Sequence, residues 1–275
     1  MPAHPNPDTL EDDACDVIAK AMRGLGISTG RLAMQTGLSI PAVQSALDGT
    51  LDPDALEKIA RALQLSPPAL VGLSSYTPVA RAPEGLHSFV TPFGHAGANA
   101  YVITHGRTAS VFDTGTNATP ILQFLHDNNL QPEAVYITHR HPDHTAGIGS
   151  FGNTPVIFPE DIEHGAPLSP AHPSLVALDV SGHAQPARAY FYEGLAYPVC
   201  IVGDSVFAGS MGGTRNPSSY QLALQTAHEH LFSLPPETIL CPGHGPLTTV
   251  AMEVCHNPFQ TSSPRRSRNT GIILR

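Results

Sequence analysis

The sequence predicts an α+β protein in which a small all-α region precedes a larger region of two sheets flanked by helices. Three observations carry that expectation. Residues 15–72 hold short stretches with apolar residues at helical spacing, set off by Ser, Thr or Asp caps and by glycines. From His87 the pattern changes to short β-rich runs separated by glycine-rich turns, with two amphipathic helical stretches interposed. Between the two regions "SSYTPVARAPEG" (Ser74–Gly85) is rich in Pro, Ser and Gly and lacks periodicity, which marks a joint. The expected division is a helical domain at 1–72, a linker at 73–86, a larger α+β domain at 87–260 and a flexible basic tail at 261–275.

The elements follow from local chemistry. "DVIAKAMRGLG" has helical spacing, and Gly24 and Gly26 are expected to end it. "STGRLAMQTG" runs from a Ser/Thr cap to Gly37, and "SIPAVQSALDG" from Ser39 to Gly49. "DPDALEKIARALQL" has an Asp cap, a first-turn proline, and Leu56, Ile59, Ala60 and Leu63 along one face. In the second region "SFVTPF", "AYVITHG", "ASVFDTG", "AVYITH", "TPVIFPE", "LVALDV", "ARAYFYEG", "YPVCIVGDS" and "ETILCPGHG" read as strands. "ATPILQFLHDNN" and "SYQLALQTAHEHLFSL" read as helices.

Composition excludes several classes. A formal charge of −9 and a pI near 5.9 give no general reason to expect nucleic-acid binding. The four cysteines are scattered without a Cys-x-x-Cys pair, so reduced thiols are expected rather than a disulfide framework. The start "MPAHPNPDTLEDDACD" is acidic and proline-rich, unlike a signal peptide. No apolar run approaches the roughly 20 residues a membrane span needs. A cytoplasmic protein without a membrane partner is therefore expected.

Leu32-Ala33, Gly37-Leu38-Ser39, Val43 and Gly49 together resemble the repressor-type helix-turn-helix family. That resemblance implies a close helix crossing at Ala33, a turn at Gly37, and a recognition helix over Ser39–Ser45. The charges fit poorly with DNA. Residues 1–72 carry five basic and nine acidic side chains, with no Lys or Arg between Leu32 and Glu57. A helical bundle for docking or for forming a homo-oligomer is preferred to a DNA-binding module.

The densest chemistry is "THRHPDHTAG" (Thr138–Gly147), which sets three histidines and an aspartate within six positions directly after an apolar strand. Alternate side chains of extended backbone share a face, so His139 and His141 can converge on one point. Pro142 breaks the strand, and Asp143 and His144 then turn toward an adjacent point. Imidazole suits Zn, Fe or Cu, and a carboxylate adds a hard ligand and a proton acceptor. His183 in "VSGHAQ", Asp204 in "IVGDSVFAGS" and His244 in "CPGHGP" recur at loop positions after β-rich runs. Seven such side chains suffice for two adjacent metals. His228 and His230 are two apart on a helical stretch and so point to different faces, against a shared ligand role.

The series "FDTG", "THRHPDHTAG", "SGH", "GDSVFAGSMGG", "SYQLALQ", "PGHGPLTT" and "HNPF", from about His87 to Phe259, resembles the metallo-β-lactamase superfamily. Its loops are closest in wording to the glyoxalase II-like (hydroxyacylglutathione hydrolase-like) branch. The resemblance implies an αββα sandwich with metals at one edge. It implies one ion on His139, His141 and His183, another on Asp143, His144 and His244, and Asp204 bridging them. The ions would be Zn²⁺ first, with Fe or Mn able to occupy the same ligands. Asp113 would support a ligand without binding metal, and His95 would look into the pocket.

The activity so implied is hydrolysis of a small thioester through a metal-bridging hydroxide, with Asp143 orienting it and accepting its proton. Three departures argue for a compact hydrolase of small thioesters or esters over a dedicated glyoxalase. Only 31 residues follow His244, "GSMG" continues as Gly213-Thr-Arg215, and Leu73–Gln260 holds five arginines, no lysine and fourteen acids. Arg215 is then the expected anchor for an anionic substrate group. The alternatives are a lactonase on the same dimetal site, a persulfide dioxygenase with a single iron, and a DNA-binding regulator with a metal-domain sensor.

Overall fold

A computed structural model describes residues 9–261 apart from 51, 94–96 and 170–171. In the helical region, α1 (Ala14–Leu25), α2 (Thr29–Thr36), α3 (Ile40–Leu47), α4 (Pro53–Ala62) and α5 (Pro67–Gly72) share one core built on Val17, Ile18, Leu32, Val43, Leu56, Ile59 and Leu70. The caps are those the residues dictate. Ser28, Ser39 and Asp52 accept from first-turn backbone N–H groups of α2, α3 and α4, and Gly26 and Gly37 close α1 and α2 in the left-handed conformation. Gly24 does not end α1. It lies inside the helix, where a Cβ would stand 2.3 Å from the Tyr220 ring, so its bare backbone serves packing.

The remainder runs β1 (Leu86–Thr91), β2 (Ala98–His105), β3 (Thr108–Phe112), α6 (Thr119–Asp127), β4 (Gln131–Tyr136), α7 (Pro142–Thr145), β5 (Val156–Ile157), β6 (Pro167–Ser169), β7 (His172–Asp179), β8 (Arg188–Tyr192), β9 (Val199–Gly203), α8 (Pro217–Thr226), β10 (Ile239–Pro242), β11 (Thr248–Thr249) and α9 (Val250–His256). One sheet has the order β1-β2-β3-β4-β5 and the other β11-β10-β9-β8-β7-β6. Strand alternation sorts their side chains. Tyr101, Ile103, Phe112 and Tyr136 of the first sheet meet Tyr190, Tyr192, Val199 and Ile201 of the second in a shared core. Val102, Ala109, Val111 and Val135 face the other way onto Ile121 and Leu125 of α6. Ala189, Phe191, Cys200 and Val202 face Ala227, Leu231 and Val250. Helices thus cover both outer faces of a two-sheet α+β sandwich.

The helical region docks directly on the second sheet's side: α1 packs on α8, and α5 on α9. Residues expected as a linker begin with a 3₁₀ turn at Leu73–Ser75, and Leu73 is buried. Tyr76 then reaches a buried carboxylate. Glu253 accepts from the Tyr76 hydroxyl (2.6 Å), Thr248 Oγ1 (2.7 Å), the Gly209 backbone N–H (2.9 Å) and Asn257 Nδ2 (2.8 Å). Four donors on one carboxylate leave no site for an amide NH₂. Glu253→Gln should therefore lower unfolding free energy by about 1–3 kcal/mol, read by denaturant titration. Burial, set against those donors, raises the Glu253 pKa. The folded state therefore holds this proton more tightly than the unfolded chain. Its contribution improves as pH falls through the raised folded value and is least favourable above it, and the Gln variant should lack that slope.

Candidate metal centre

Every candidate ligand follows the C-terminal end of a strand. β3 and β4 are parallel neighbours, as are β9 and β10, and two antiparallel steps through β8 make β7 run with β9. Asp113 follows β3, "THRHPDH" follows β4, His183 follows β7, Asp204 follows β9 and His244 follows β10. The strand ladder of β4 stops at Tyr136, so His139 and His141 stand on the loop just beyond it, His141 in extended backbone. Pro142 opens the single turn α7, which carries Asp143 and His144.

These seven side chains meet. His141 Nδ1 lies 3.0 Å from both His139 Nε2 and His183 Nε2, and Asp204 Oδ2 lies 3.4 Å from His183 Nε2 and 3.9 Å from His139 Nε2. On the other side, Asp143 Oδ2 is 3.2 Å from His244 Nε2 and 3.4 Å from His144 Nε2. Asp204 touches this set as well, Oδ1 at 3.3 Å from His144 Nε2 and Oδ2 at 3.5 Å from His244 Nε2. His139, His141, His183 and Asp204 form one group whose donor atoms could hold an ion, and Asp143, His144 and His244 form a second. In a further group, Asp13, Cys15 and Asp16, the two exposed carboxylates form the capping box of α1 and Cys15 is half-buried, which accounts for the group without an ion.

Outer hydrogen bonds fix which nitrogen points inward for four of the rings, while His141 turns Nδ1 toward the cluster. The Nδ1–H of His183 donates to Gly213 O (2.7 Å), that of His244 to Gly97 O (2.7 Å), and that of His144 to Asp113 Oδ2 (2.8 Å). His139 Nδ1 bonds Thr138 Oγ1 at 3.1 Å, and Thr138 Oγ1 donates in turn to Asp113 Oδ2 at 2.8 Å. Asp113 also accepts from the Thr138 backbone, and it holds φ at +56°, a left-handed conformation that Asp tolerates better than most residues. Each inward Nε2 is thereby a lone pair aimed at the cluster, the arrangement that orients imidazoles on metals.

The residues fit metal ions better than they fit each other. His144 Nε2 and Asp204 Oδ1 are buried without a hydrogen-bond partner, although they face one another. Three ring nitrogens around His141 cannot all be satisfied by sharing protons, and five imidazoles with two carboxylates are a borderline-cation donor set. Burial and the neighbouring His144 push His139 down to about 2. Burial opposes charge on Asp204, Asp143 and His244 as well. It is outweighed by the facing imidazoles, which hold both carboxyls below their usual range, and by bonds to Asp143 and Asp204, which lift His244 to about 10.

Sequence reasoning missed the glycines that make room for this packing, though each stands beside a ligand. A Cβ on Gly243 would fall 2.2 Å from Asp204 Oδ1 and 2.7 Å from His144 Cε1; one on Gly212 would fall 2.6 Å from His183 Nδ1. Gly243→Ala should weaken metal retention by about 10- to 100-fold, measured by chelator competition, while β9 and β10 stay folded. Phe93 and Phe207 flank the His244 ring, also unforeseen. Arg215 is exposed, in the segment between the Asp204 loop and α8. His95 lies outside the described residues, as does the tail from 262. His230 turns away from the cluster onto Asp179 and His164, and His228 is exposed.

Sequence and structure comparisons agree with this geometry. Residues 94–157 match the family model of the metallo-beta-lactamase superfamily. The chain is 28% identical over 201 residues to the probable metallo-hydrolase YqgX of Bacillus subtilis, covering 61% of this chain and 94% of that one. It is 32% identical over 154 residues to the hydroxyacylglutathione hydrolase of Halorhodospira halophila, covering 50% of this chain and 57% of that one. The chain thus spans little more than half the length of that relative. Among solved structures, TTHA1623 in a di-iron-bound form superposes with a TM-score of 0.51 at 28% identity, covering 62% of this chain and 99% of that one. Fold and site agree with the partial family match, and the findings support the metallo-beta-lactamase superfamily. Within it, the metallo-hydrolase relatives support a metal-dependent hydrolase. Among the described residues, no helix is long and apolar enough to cross a membrane.

Proposed function

We propose that this chain is a dinuclear-metal hydrolase that cleaves small acyl thioesters. One observation carries the reading: the Asp204 carboxylate is shared by two donor groups, within 3.5 Å of His183 on one side and of His144 and His244 on the other. His139, His141 and His183 would hold one divalent ion, Asp143, His144 and His244 the other, and Asp204 both. Zinc is the first choice and Fe or Mn the next, a question for elemental analysis of protein made in defined medium. Two such ions, when bound, supply Lewis acidity toward an acyl oxygen and a water acidic enough to ionise near neutral pH.

The chain's own residues do the rest. Asp143, held as an anion by His244 and His144, orients the attacking water and takes its proton at a carboxylate oxygen. Asp113 and the Gly97 and Gly213 carbonyls keep the imidazoles in one tautomer through turnover. Phe93 and Phe207 shield the His244 side from water. A thiol is the preferred leaving group because a thiolate departs without a strong protein acid. The hydroxyacylglutathione hydrolase relative supports thioester chemistry, while the low number of cations over Leu73–Gln260, five arginines and no lysine, supports small, loosely held substrates with Arg215 as an anchor.

A panel of matched thioesters and lactones on metal-quantified protein tests the proposal. Thioesters should be turned over at least about tenfold better than lactones. A preference for lactones would make the chain a lactonase on the same site, and oxygen uptake with a persulfide would replace hydrolysis by oxygenation.

A further inference from the structure

The loop after Asp204 is held from the helical region. Lys20 of α1 donates to the Met211 carbonyl at 2.8 Å and to the Asp12 carboxylate, and Ser210 Oγ donates to the same Asp12 oxygen at 2.6 Å. Lys20 and Asp12 are 15% and 8% exposed, so water competes little for these bonds. Lys20 also stands 5.1 Å over the Phe207 ring, whose edge meets His244.

Met211 O and the Gly212 N–H belong to one planar peptide unit. Lys20 holds its oxygen, and its N–H donates to Asp204 O at 2.9 Å. The ammonium draws electron density toward the oxygen, which strengthens the N–H as a donor to Asp204. One residue on, Gly213 O takes the Nδ1–H of His183 at 2.7 Å. A Cβ on Gly212 would fall 2.1 Å from Asp204 O, so this position takes glycine, and glycine does little to resist rotation of the peptide before it. Turned over, the same peptide would set its carbonyl against that of Asp204. A cation on the Met211 oxygen supplies the missing resistance.

We propose that Lys20 is a positioning residue of the metal centre: it locks the Met211–Gly212 peptide in the orientation that seats the Asp204 backbone and, through Gly213, the His183 ring. The helical region thereby braces the ligands as well as lying beside them. This rests on the reading of His183 and Asp204 as ligands of two ions.

Lys20→Met alone strands Asp12 as a buried charge and can unfold the region. The test therefore uses full-length Lys20→Met/Asp12→Asn, which removes both charges and keeps an acceptor for Ser210, beside Lys20→Arg, which keeps a cation. Amide hydrogen exchange at Gly212 is followed by NMR in the metal-free proteins, and zinc retention is measured by chelator competition. In the double variant Gly212 should exchange at least about tenfold faster, with α1 and α8 protected as in the wild type, and one of two zinc ions should be held about 10- to 100-fold more weakly. Lys20→Arg should stand nearer the wild type in both measurements. Unchanged exchange at Gly212, or zinc held as tightly as in the wild type, overturns the proposal. So does faster exchange spread evenly over α1 and α8, which would make Lys20 a general support of the fold. Faster Gly212 exchange and weaker zinc, in a chain whose wild type retains a single ion, would sink the dinuclear reading and still uphold the lock.

Discussion

Asp204→Ala should reduce bound metal from two equivalents per chain to one or none, and turnover of any hydrolysed substrate on the order of a thousandfold. The carboxylate has an oxygen within 3.5 Å of ring nitrogens in both donor sets, its Oδ1 against His144 and its Oδ2 against His183 and His244. Without it, two like charges less than about 4 Å apart lose the anion between them. Asp204→Asn separates charge from shape, since the amide still fills the space beside Gly243 and lowers the negative charge by one. Metal content by elemental analysis should fall in both variants while far-UV circular dichroism is kept. Retention of two equivalents by the alanine variant would remove Asp204 from the shared position.

Asp143→Asn should cost about 10²- to 10⁴-fold in kcat, with a smaller change in KM and in metal content. The side chain has two tasks in the proposed chemistry, as a ligand beside His144 and His244 and as the acceptor of a proton. An amide oxygen can still approach an ion, but the amide cannot accept that proton. A fall in metal content equal to the fall in rate would mean that Asp143 serves only to hold the ion. An unchanged rate would take it out of the mechanism.

Much of this was legible in the chain because ligand chemistry is local in sequence even when the fold is not. The His-x-His-x-Asp-His run sits within one loop, so its convergence follows from extended backbone ended by Pro142. His183, Asp204 and His244 are far apart in sequence. Residue type and position after β-rich runs marked them, but only the parallel courses of β7, β9 and β10 bring them to one edge. The helix caps at Ser28, Ser39 and Asp52 were equally readable.

What escaped has a common cause: it depends on tertiary contact. Gly24 reads as a helix stop, and only the Tyr220 ring against it explains its place inside α1. The short α5, β6, β11 and α9 give too few residues for a period to show, and α8 passes into a π-turn at Ala227–Leu231 that no side-chain pattern announces. Gly243 and Gly212 looked like ordinary loop glycines because the atoms that exclude a side chain come from distant segments. Lys20 was one of five basic side chains in residues 1–72 until the fold set its ammonium on the Met211 carbonyl.

The central claim is that seven side chains hold two ions side by side. Anomalous diffraction from crystals of the metal-loaded protein tests it most directly. Two peaks about 3.5–4 Å apart, one against His139, His141 and His183 and one against Asp143, His144 and His244, with Asp204 between them, are the expected result. A single peak confined to one donor set, or none at either, would contradict it.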